Sequence, residues 1–520
     1  MIFTDPFFLF VFLPVAALVF HLVGRRYGTN GGLATIFLFS LLFYAPWGAW
    51  MTAILIVSVS LNFLCGAALI ALGEDRKSLR KALLAAGEVA NFSALIWFKY
   101  HLFAGLVQDA GARDVADWVV PAGISFYTFH QAAFLADAYA REVNVVLLLG
   151  KLKTARDIAT GFIRYGAFVV FFPQLVIGPI TYVKEFLPQV TSARFGRIFY
   201  INLSIGFTLI AIGMFKKLVL ADNLGIYSDS VFERASMRIA LSPLESWLGI
   251  ASYYLQLYFD FSGYSDMALG LARMFGLRYP INFFSPFKAV GIIDYYRRWH
   301  MTLTRVISRF LFTPLSLAGT RLAARKRYSA MAAKILGLWL PLLINFEVIG
   351  LWHGAIWSFV VFGLIHGIWY VAETEVRSSK RWKKWRKTVP DVRRAIYGRI
   401  ILLMLMPLCF ALFRADSLET ALFLGGQLLS GPFVPAIDAE MQAALKPLIA
   451  GFAIVYLLPN SVELLRGYRP GILTYQNPSY GPQWRLRWRP NWPWALFFGA
   501  IFVVCIYYMY RQPPFLYQGF

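Results

Sequence analysis

Charge is scarce in this chain. Only 15% of its 520 residues are Asp, Glu, Lys or Arg, against roughly a quarter in soluble proteins. No polar stretch is long enough to fold around a core of its own, which excludes an ordinary soluble enzyme. A hydrophobic content of 59% excludes a disordered chain as well. Cysteine is nearly absent: Cys65, Cys409 and Cys505 each lie inside an apolar run, leaving no disulfide framework and no Cys-based metal spacing. The six histidines (His21, His101, His130, His300, His353 and His366) form no H-E-x-x-H pattern. G-x-S-x-G and G-x-x-x-x-G-K-[ST] are missing too, so zinc hydrolysis, serine-triad chemistry and ATP-driven pumping lose their support. Neither a metal nor a bound cofactor is expected. The N-terminal run Phe7–Val23 lacks a basic n-region and a small-residue cleavage pattern, and is read as a first membrane helix.

What the chain does have is apolar sequence from end to end. A span needs about 20 mostly apolar residues. Candidates are 7–25, 33–50, 51–73, 83–107, 117–136, 159–182, 201–220, 240–260, 264–280, 333–351, 354–372, 396–414, 418–431, 447–465 and 493–510. The 17% aromatic content fits belts at both lipid–water interfaces. Pro121 with Gly123, Pro173 with Gly178-Pro179, and Gly263 interrupt apolar runs. Broken helices at membrane depth survive only when buried in protein or lining a wet cavity. The expected fold is an all-α polytopic integral membrane protein, a single membrane domain over 1–520, with about 11 to 14 transmembrane helices plus re-entrant or surface helices.

The net charge of +23 would suggest nucleic acid in a soluble protein. Here it follows from basic loops, and no nucleic-acid partner is expected. Glu74 to Lys81 carries four basic residues, Arg321 to Lys334 five, and Arg377 to Arg399 ten with Asp391 as the sole acid. The positive-inside rule puts these loops in the cytoplasm. Within the last, Trp alternating with Lys and Arg over Lys380–Lys387 reads as a segment lying on anionic headgroups. The acidic loop Gln108–Asp117 is expected outside.

Ionisable residues within membrane segments are costly, so each is a functional candidate. Asp260 and Asp266 are six residues apart, about 240° around a straight helix. They share no face unless Gly263 bends the helix between them; otherwise they are separately satisfied, with Arg297 or Arg298 as partners. Arg297-Arg298-Trp299-His300 could hold an anionic group, or serve as a basic anchor with Trp299 in the interface. Gly350-Leu351-Trp352-His353-Gly354 and Gly363-Leu364-Ile365-His366-Gly367 have the spacing that lets another backbone come close. His353 and His366 should point apart, about 220° around one straight helix, unless that helix is broken. Each is either a base or a hydrogen-bonding strut.

Three motifs read in order carry a resemblance: Tyr258-Phe259-Asp260-Phe261-Ser262-Gly263-Tyr264-Ser265-Asp266-Met267-Ala268, Arg297-Arg298-Trp299-His300 and Leu351-Trp352-His353-Gly354-Ala355. Further matches are Pro121 to Phe129, Phe172 to Pro179 and Phe8 to Pro14. Together they are similar to the membrane-bound O-acyltransferase (MBOAT) family, most of all to its bacterial polysaccharide O-acetyltransferase branch. That branch holds the alginate O-acetyltransferase membrane subunit and is related to the teichoic acid D-alanyl transfer protein. The resemblance covers about residues 1–415, with C-terminal membrane helices over about 416–520. After Trp299-His300 the chain departs from the alginate-type pattern. Ser308 to Leu317 stands where an Arg-Asp-Tyr-Leu-Tyr stretch and a glycine pair are usual, so the identity of the acceptor is not carried over.

The resemblance implies a ring of helices around a central tunnel in the bacterial inner membrane, where a cytoplasmic acyl thioester meets an extracytoplasmic acceptor. It makes His353 the catalytic histidine and His300 the second polar position of the tunnel, orienting the acceptor or stabilising an oxyanion. Arg297, Arg298, Trp299, Trp352, Asp260, Asp266, Tyr264 and His366 are expected to line or support the tunnel. Acetyl-CoA is the implied donor substrate, though no motif shows coenzyme A binding. The implied partners are membrane lipids and a polysaccharide, reached directly or through an extracytoplasmic transferase. A rival class is a transporter or flippase of acyl or lipid-linked groups that does no chemistry, for which broken helices and midplane charges are also suited.

Overall fold

The computed structural model describes residues 1–108, 120–150, 152–192, 195–196, 199–430, 439–473, 486–510 and 516, with the backbone alone over 101–108. Beyond Gln108, the acidic loop expected outside the membrane lies outside the described residues. Lipid offers backbone groups no partners, so each segment must satisfy its own hydrogen bonds. Accordingly the regular structure among the described residues is helical, apart from an isolated bridge pairing Pro280 with Ile472.

Eight helices among the described residues are long and apolar enough to cross a membrane, and the protein is a multi-pass membrane protein. The sequence reading expected about 11 to 14 spans, and some of its apolar runs build other structure. Residues 159–182 become the helix Ala155–Val170, the turn Phe172–Leu175 and then irregular chain. That irregular chain is buried in protein through Tyr182, which is where broken backbone is tolerated. Runs 240–260 and 264–280 merge into one continuous helix, Pro243–Met274.

Seven helices position the site, labelled here in chain order: α1 Lys77–Gln108, α2 Ile124–Tyr139, α3 Tyr200–Met214, α4 Pro243–Met274, α5 Leu340–His353, α6 Trp357–Ser378 and α7 Asp391–Arg414. At its start α2 follows Gly123, whose φ of 73° suits glycine. A Cβ there would also fall 2.2 Å from the carbonyl oxygen of Leu175, so the loop holding Pro173 is packed on that glycine.

Gly263 does not bend α4, which leaves the other alternative of the sequence reading, two separately satisfied aspartates. The glycine is a point of close approach. A Cβ on Gly263 would lie 2.7 Å from the Gly213 oxygen, and one on Gly213 would lie 2.4 Å from the Gly263 oxygen. Gly206 and Gly270 repeat the arrangement seven residues away on each helix, with clashes of 2.8 and 2.6 Å. Two glycine pairs therefore bring the backbones of α3 and α4 together, the device by which helices associate where lipid supplies no hydrophobic drive.

The same crossing explains the two aspartates. Just past Gly213 the chain widens into a π-helical stretch, Phe215–Ala221, and places Lys216 and Lys217 beside Gly263. Asp260 and Asp266 flank that glycine on either side, so each reaches its own lysine despite pointing differently. Lys216 Nζ lies 2.6 Å from Asp266 Oδ2, while Lys217 Nζ lies 2.7 Å from Asp260 Oδ1 and 2.8 Å from Asp222 Oδ1. Arg297 and Arg298, the partners expected from the sequence, take no part in these pairs; Arg298 pairs with Asp294 at 3.0 Å.

Candidate active site

Helices α5 and α6 are joined by a short break at Gly354 to Ile356, and their contact follows the glycine spacing. A Cβ on Gly350 would lie 2.3 Å from the Phe359 oxygen and 3.3 Å from the Gly363 Cα. One on Gly363 would lie 2.7 Å from the Phe346 oxygen. This crowding puts His353, the last residue of α5, inside the protein at 5% exposure. Its imidazole packs 4.6 Å from the Trp352 ring and 4.6 Å edge-on to Phe413 of α7.

Trp352 is the hub. Its indole Nε1 donates to Ser125 Oγ of α2 at 3.2 Å. The Nζ of Lys99, from α1, lies 4.7 Å from the ring centroid and donates to the Trp352 carbonyl oxygen. The Tyr100 hydroxyl donates to the preceding carbonyl, that of Leu351. A helix C-terminus presents unsatisfied carbonyls and partial negative charge, so a buried ammonium is well placed to hold the end of α5 and the histidine on it.

His300 approaches from the other side of the chain order. Its ring lies 6.5 Å from that of Trp352 and 4.8 Å edge-on to Phe261 of α4. It is 3% exposed. The backbone at His300 is left-handed, φ 44° and ψ 50°, a conformation that costs a non-glycine residue about 1–2 kcal/mol. The surroundings impose it. Phe284 N donates to the Arg298 oxygen and Met301 N to the Asn282 oxygen, each at 2.9 Å, clamping the segment on both sides of the histidine.

Asn282 also sets the proton on the ring. Its Oδ1 lies 3.4 Å from the backbone N–H of Thr302, 3.0 Å from the Thr302 hydroxyl and 2.9 Å from His300 Nδ1. A backbone N–H can only donate, so the amide oxygen faces these groups and His300 Nδ1 carries the hydrogen. Burial pushes the His300 pKa down to about 3, keeping the ring neutral with a lone pair on Nε2. In that state Nε2 can accept from a hydroxyl but has no hydrogen to give an oxyanion.

His300, Trp352 and His353 therefore come together, and the remaining candidates do not join them as a group. Trp299 is buried among Tyr295, Phe283 and Phe410 at 5.5, 5.1 and 5.4 Å. Arg298 is buried while Arg297 is exposed, so the two do not form one clamp. Tyr264 stacks on Phe3 at 4.6 Å. His366 is fully buried, its Nδ1 2.8 Å from the Phe362 oxygen, with Phe362 and Tyr296 against its ring. That is the environment of a strut. Asp260 and Asp266 belong to the lysine pairs. No group of three or more His, Cys, Asp or Glu side chains suited to a metal occurs among the described residues.

Sequence reasoning missed Lys99, Ser125 and Asn282. Lys99 carried a signal, being an ionisable residue inside the apolar run 83–107. Asn282 carried none, because its importance arises from a contact between segments 18 residues apart.

The model of the membrane-bound O-acyltransferase family matches residues 88–415, which contain every residue of the site. The chain is 35% identical over 334 residues to a peptidoglycan O-acetyltransferase of Helicobacter pylori, covering 61% of this chain and 62% of that protein. It is 30% identical over 353 residues to a probable alginate O-acetylase of Pseudomonas aeruginosa, 65% of this chain and 62% of that one. A teichoic acid D-alanyltransferase of Bacillus subtilis is 28% identical over 179 residues, 33% of this chain and 45% of that protein. The matches thus span less than two thirds of these relatives' lengths.

Proposed function

The chain belongs to the membrane-bound O-acyltransferase family, and from that premise we propose that it transfers an acyl group, acetyl in the first instance, from a cytoplasmic thioester to a hydroxyl. The acceptor is an extracytoplasmic polysaccharide, reached directly or through a partner transferase, and the site of action is the bacterial inner membrane. The observation that carries this reading is the pair of buried imidazoles set against one indole, His300 at 6.5 Å and His353 at 4.6 Å from Trp352. The relatives named above act, by their names, on peptidoglycan, alginate and teichoic acid.

A hydroxyl is a weak nucleophile at neutral pH and needs a base at the moment of attack; positioned general-base help is worth about 10²–10⁴ in rate. His353 removes the hydroxyl proton as the oxygen attacks the thioester carbonyl carbon. The tetrahedral intermediate collapses with loss of the thiolate, and the imidazolium returns the proton to sulfur. The ester and the free thiol are the products. His300 Nε2 accepts from a neighbouring hydroxyl of the acceptor, not the one whose proton passes to His353, and so fixes its approach, and Asn282 holds the imidazole that does so. Acetyl-CoA supplies the thioester in this scheme.

Purified protein in lipid nanodiscs, given an acyl thioester and a hydroxyl acceptor, should release free thiol and acylated acceptor in equal amounts. A transporter makes the opposite forecast. Reconstituted vesicles would then accumulate the intact thioester or acyl carrier with no thiol released, and that result would remove the transferase reading.

The division of labour between the histidines has its own test. His300→Ala should lower transfer by about a hundredfold, the scale for losing one hydrogen bond made in the transition state. His300→Asn and His300→Gln should recover part of it, because an amide oxygen can still accept from a hydroxyl. Asn282→Ala should lower kcat in the same direction with His300 intact. Equal and complete loss in all three His300 variants would show that His300 moves the proton itself.

A further inference from the structure

At the C-terminal end of α4, away from the two histidines, lies a cavity of about 810 Å³ whose lining includes Lys184, Gln189, Ser192, Asn202, Arg273 and Arg278. Arg273, in the last turn of α4, is 5% exposed. It makes no hydrogen bond or ion pair among the described residues, and its Nε is buried without a partner. The charge of Arg278 bears on it from nearby. Glu185, the acid on the cavity wall, does not neutralise either one, because its carboxylate is held by both terminal nitrogens of Arg305.

A guanidinium cannot shed its proton at any working pH. Burying one without a counter-charge, next to a like charge, is costly. Such a group persists where something anionic occupies the space it faces. Arginine's planar fork matches phosphate oxygens, and a second arginine and a lysine on the same wall suit an ion of more than one charge. Arg278 is held in place for this: Gln189 pairs with its backbone in both directions, at 2.8 and 2.9 Å. The volume falls within the range of small-molecule sites, about 300–1,000 Å³.

We propose that this cavity binds a phosphate or diphosphate group through Arg273 and Arg278, and that the group belongs either to a soluble nucleotide-type molecule or to a phospholipid headgroup. Arg278 is four residues before Asn282, a reach of at most ~14 Å along the chain. An anion bound here is therefore coupled through a short extended segment to the residue that holds His300.

Binding is read without turnover, so failure of the phosphate site and failure of the acyl-transfer reading are separate results. Two arms distinguish the sources. In nanodiscs of phosphatidylcholine alone, inorganic pyrophosphate is titrated calorimetrically. In nanodiscs of phosphatidylcholine with phosphatidylglycerol, native mass spectrometry counts the phosphatidylglycerol retained by the released protein. Saturable pyrophosphate binding assigns a soluble ligand, and retained phosphatidylglycerol without pyrophosphate binding assigns the headgroup. In either arm Arg273→Gln should weaken binding by about tenfold or more, the loss of one charge-assisted hydrogen bond. Arg278→Gln should weaken it in the same direction. The ligand-free Arg273→Gln protein should be at least as heat-stable as the wild type, since an uncompensated buried charge is gone. A wild-type protein that binds neither probe overturns the proposal. So does binding that Arg278→Gln leaves unchanged, together with an Arg273→Gln protein that either binds normally or fails to fold.

Discussion

Asp266→Leu should cost the folded protein about 3–5 kcal/mol, because it leaves the buried ammonium of Lys216 without its counter-charge. The aspartate lies 2.6 Å from Lys216 Nζ, and its other oxygen accepts from the Ser461 hydroxyl at 2.6 Å. Both partners are almost wholly buried. The cost of removing one ion from such a pair is larger than the net worth of the pair, since desolvation was already offset by mutual attraction. The double variant Lys216→Met with Asp266→Leu should therefore regain most of the stability, and a buried pair replaced by apolar side chains is often neutral. Thermal unfolding of the purified protein in detergent, read by size-exclusion profile after heating, measures both. Wild-type stability of the single variant would contradict a buried ion pair. A double variant that stays as unstable as the single one would mean that Asp266 does something besides pairing with Lys216.

That pairing also shows where the sequence stopped being legible. The helical, membrane-spanning class was readable from the apolar runs alone, because lipid leaves the backbone few options. The glycines around His353 were readable as well: spacing of four marks a close helix contact whatever the partner is, and Gly350 meets Gly363 as such a contact. Gly263 left a bend open, because a glycine within a helix signals either a bend or an approach, and only the partner helix decides. Its partner, Gly213, is 50 residues earlier. Lys216 and Lys217 fall near the end of the run 201–220, where a basic pair looks like an interfacial anchor, and a π-helical turn then carries them inward. The expectation that Asp260 and Asp266 use Arg297 or Arg298 failed for the same reason, as proximity in motif order is not proximity in space. Interrupted apolar sequence did not show which runs cross and which build buried irregular chain, as residues 171–182 do.

The meeting of His300 and His353 rested on the family resemblance, since residue type alone leaves a buried histidine as a base or a strut. What the structure adds is the means of positioning. Lys99 anchors the carbonyl of Trp352, Asn282 fixes the tautomer of His300, and a left-handed backbone at His300 turns its ring toward the indole. His366, with a similar sequence context, meets a backbone carbonyl and aromatic rings among the described residues, and its replacement is expected to act on stability before activity.

His353 carries the chemistry of the proposed reaction, and its replacement should have the largest effect on rate. Glutamine keeps much of the size and hydrogen-bonding capacity of histidine but cannot take up a proton. A general base supplies about 10²–10⁴ in rate, so both His353→Gln and His353→Ala should bring transfer close to background. The folded state should be nearly unaffected by glutamine, because a single polar contact between membrane helices is worth only ~1 kcal/mol. The contacts around it, with Trp352 at 4.6 Å and Phe413 at 4.6 Å, depend on packing that an amide side chain can largely retain. A strut makes the reverse forecast, with activity kept in His353→Gln and yield reduced in His353→Ala. The deciding measurement is acyl transfer per milligram of folded His353→Gln protein beside the wild type at equal purity. A fall of about a hundredfold or more is the expected result for a general base, and specific activity equal to the wild type would contradict it.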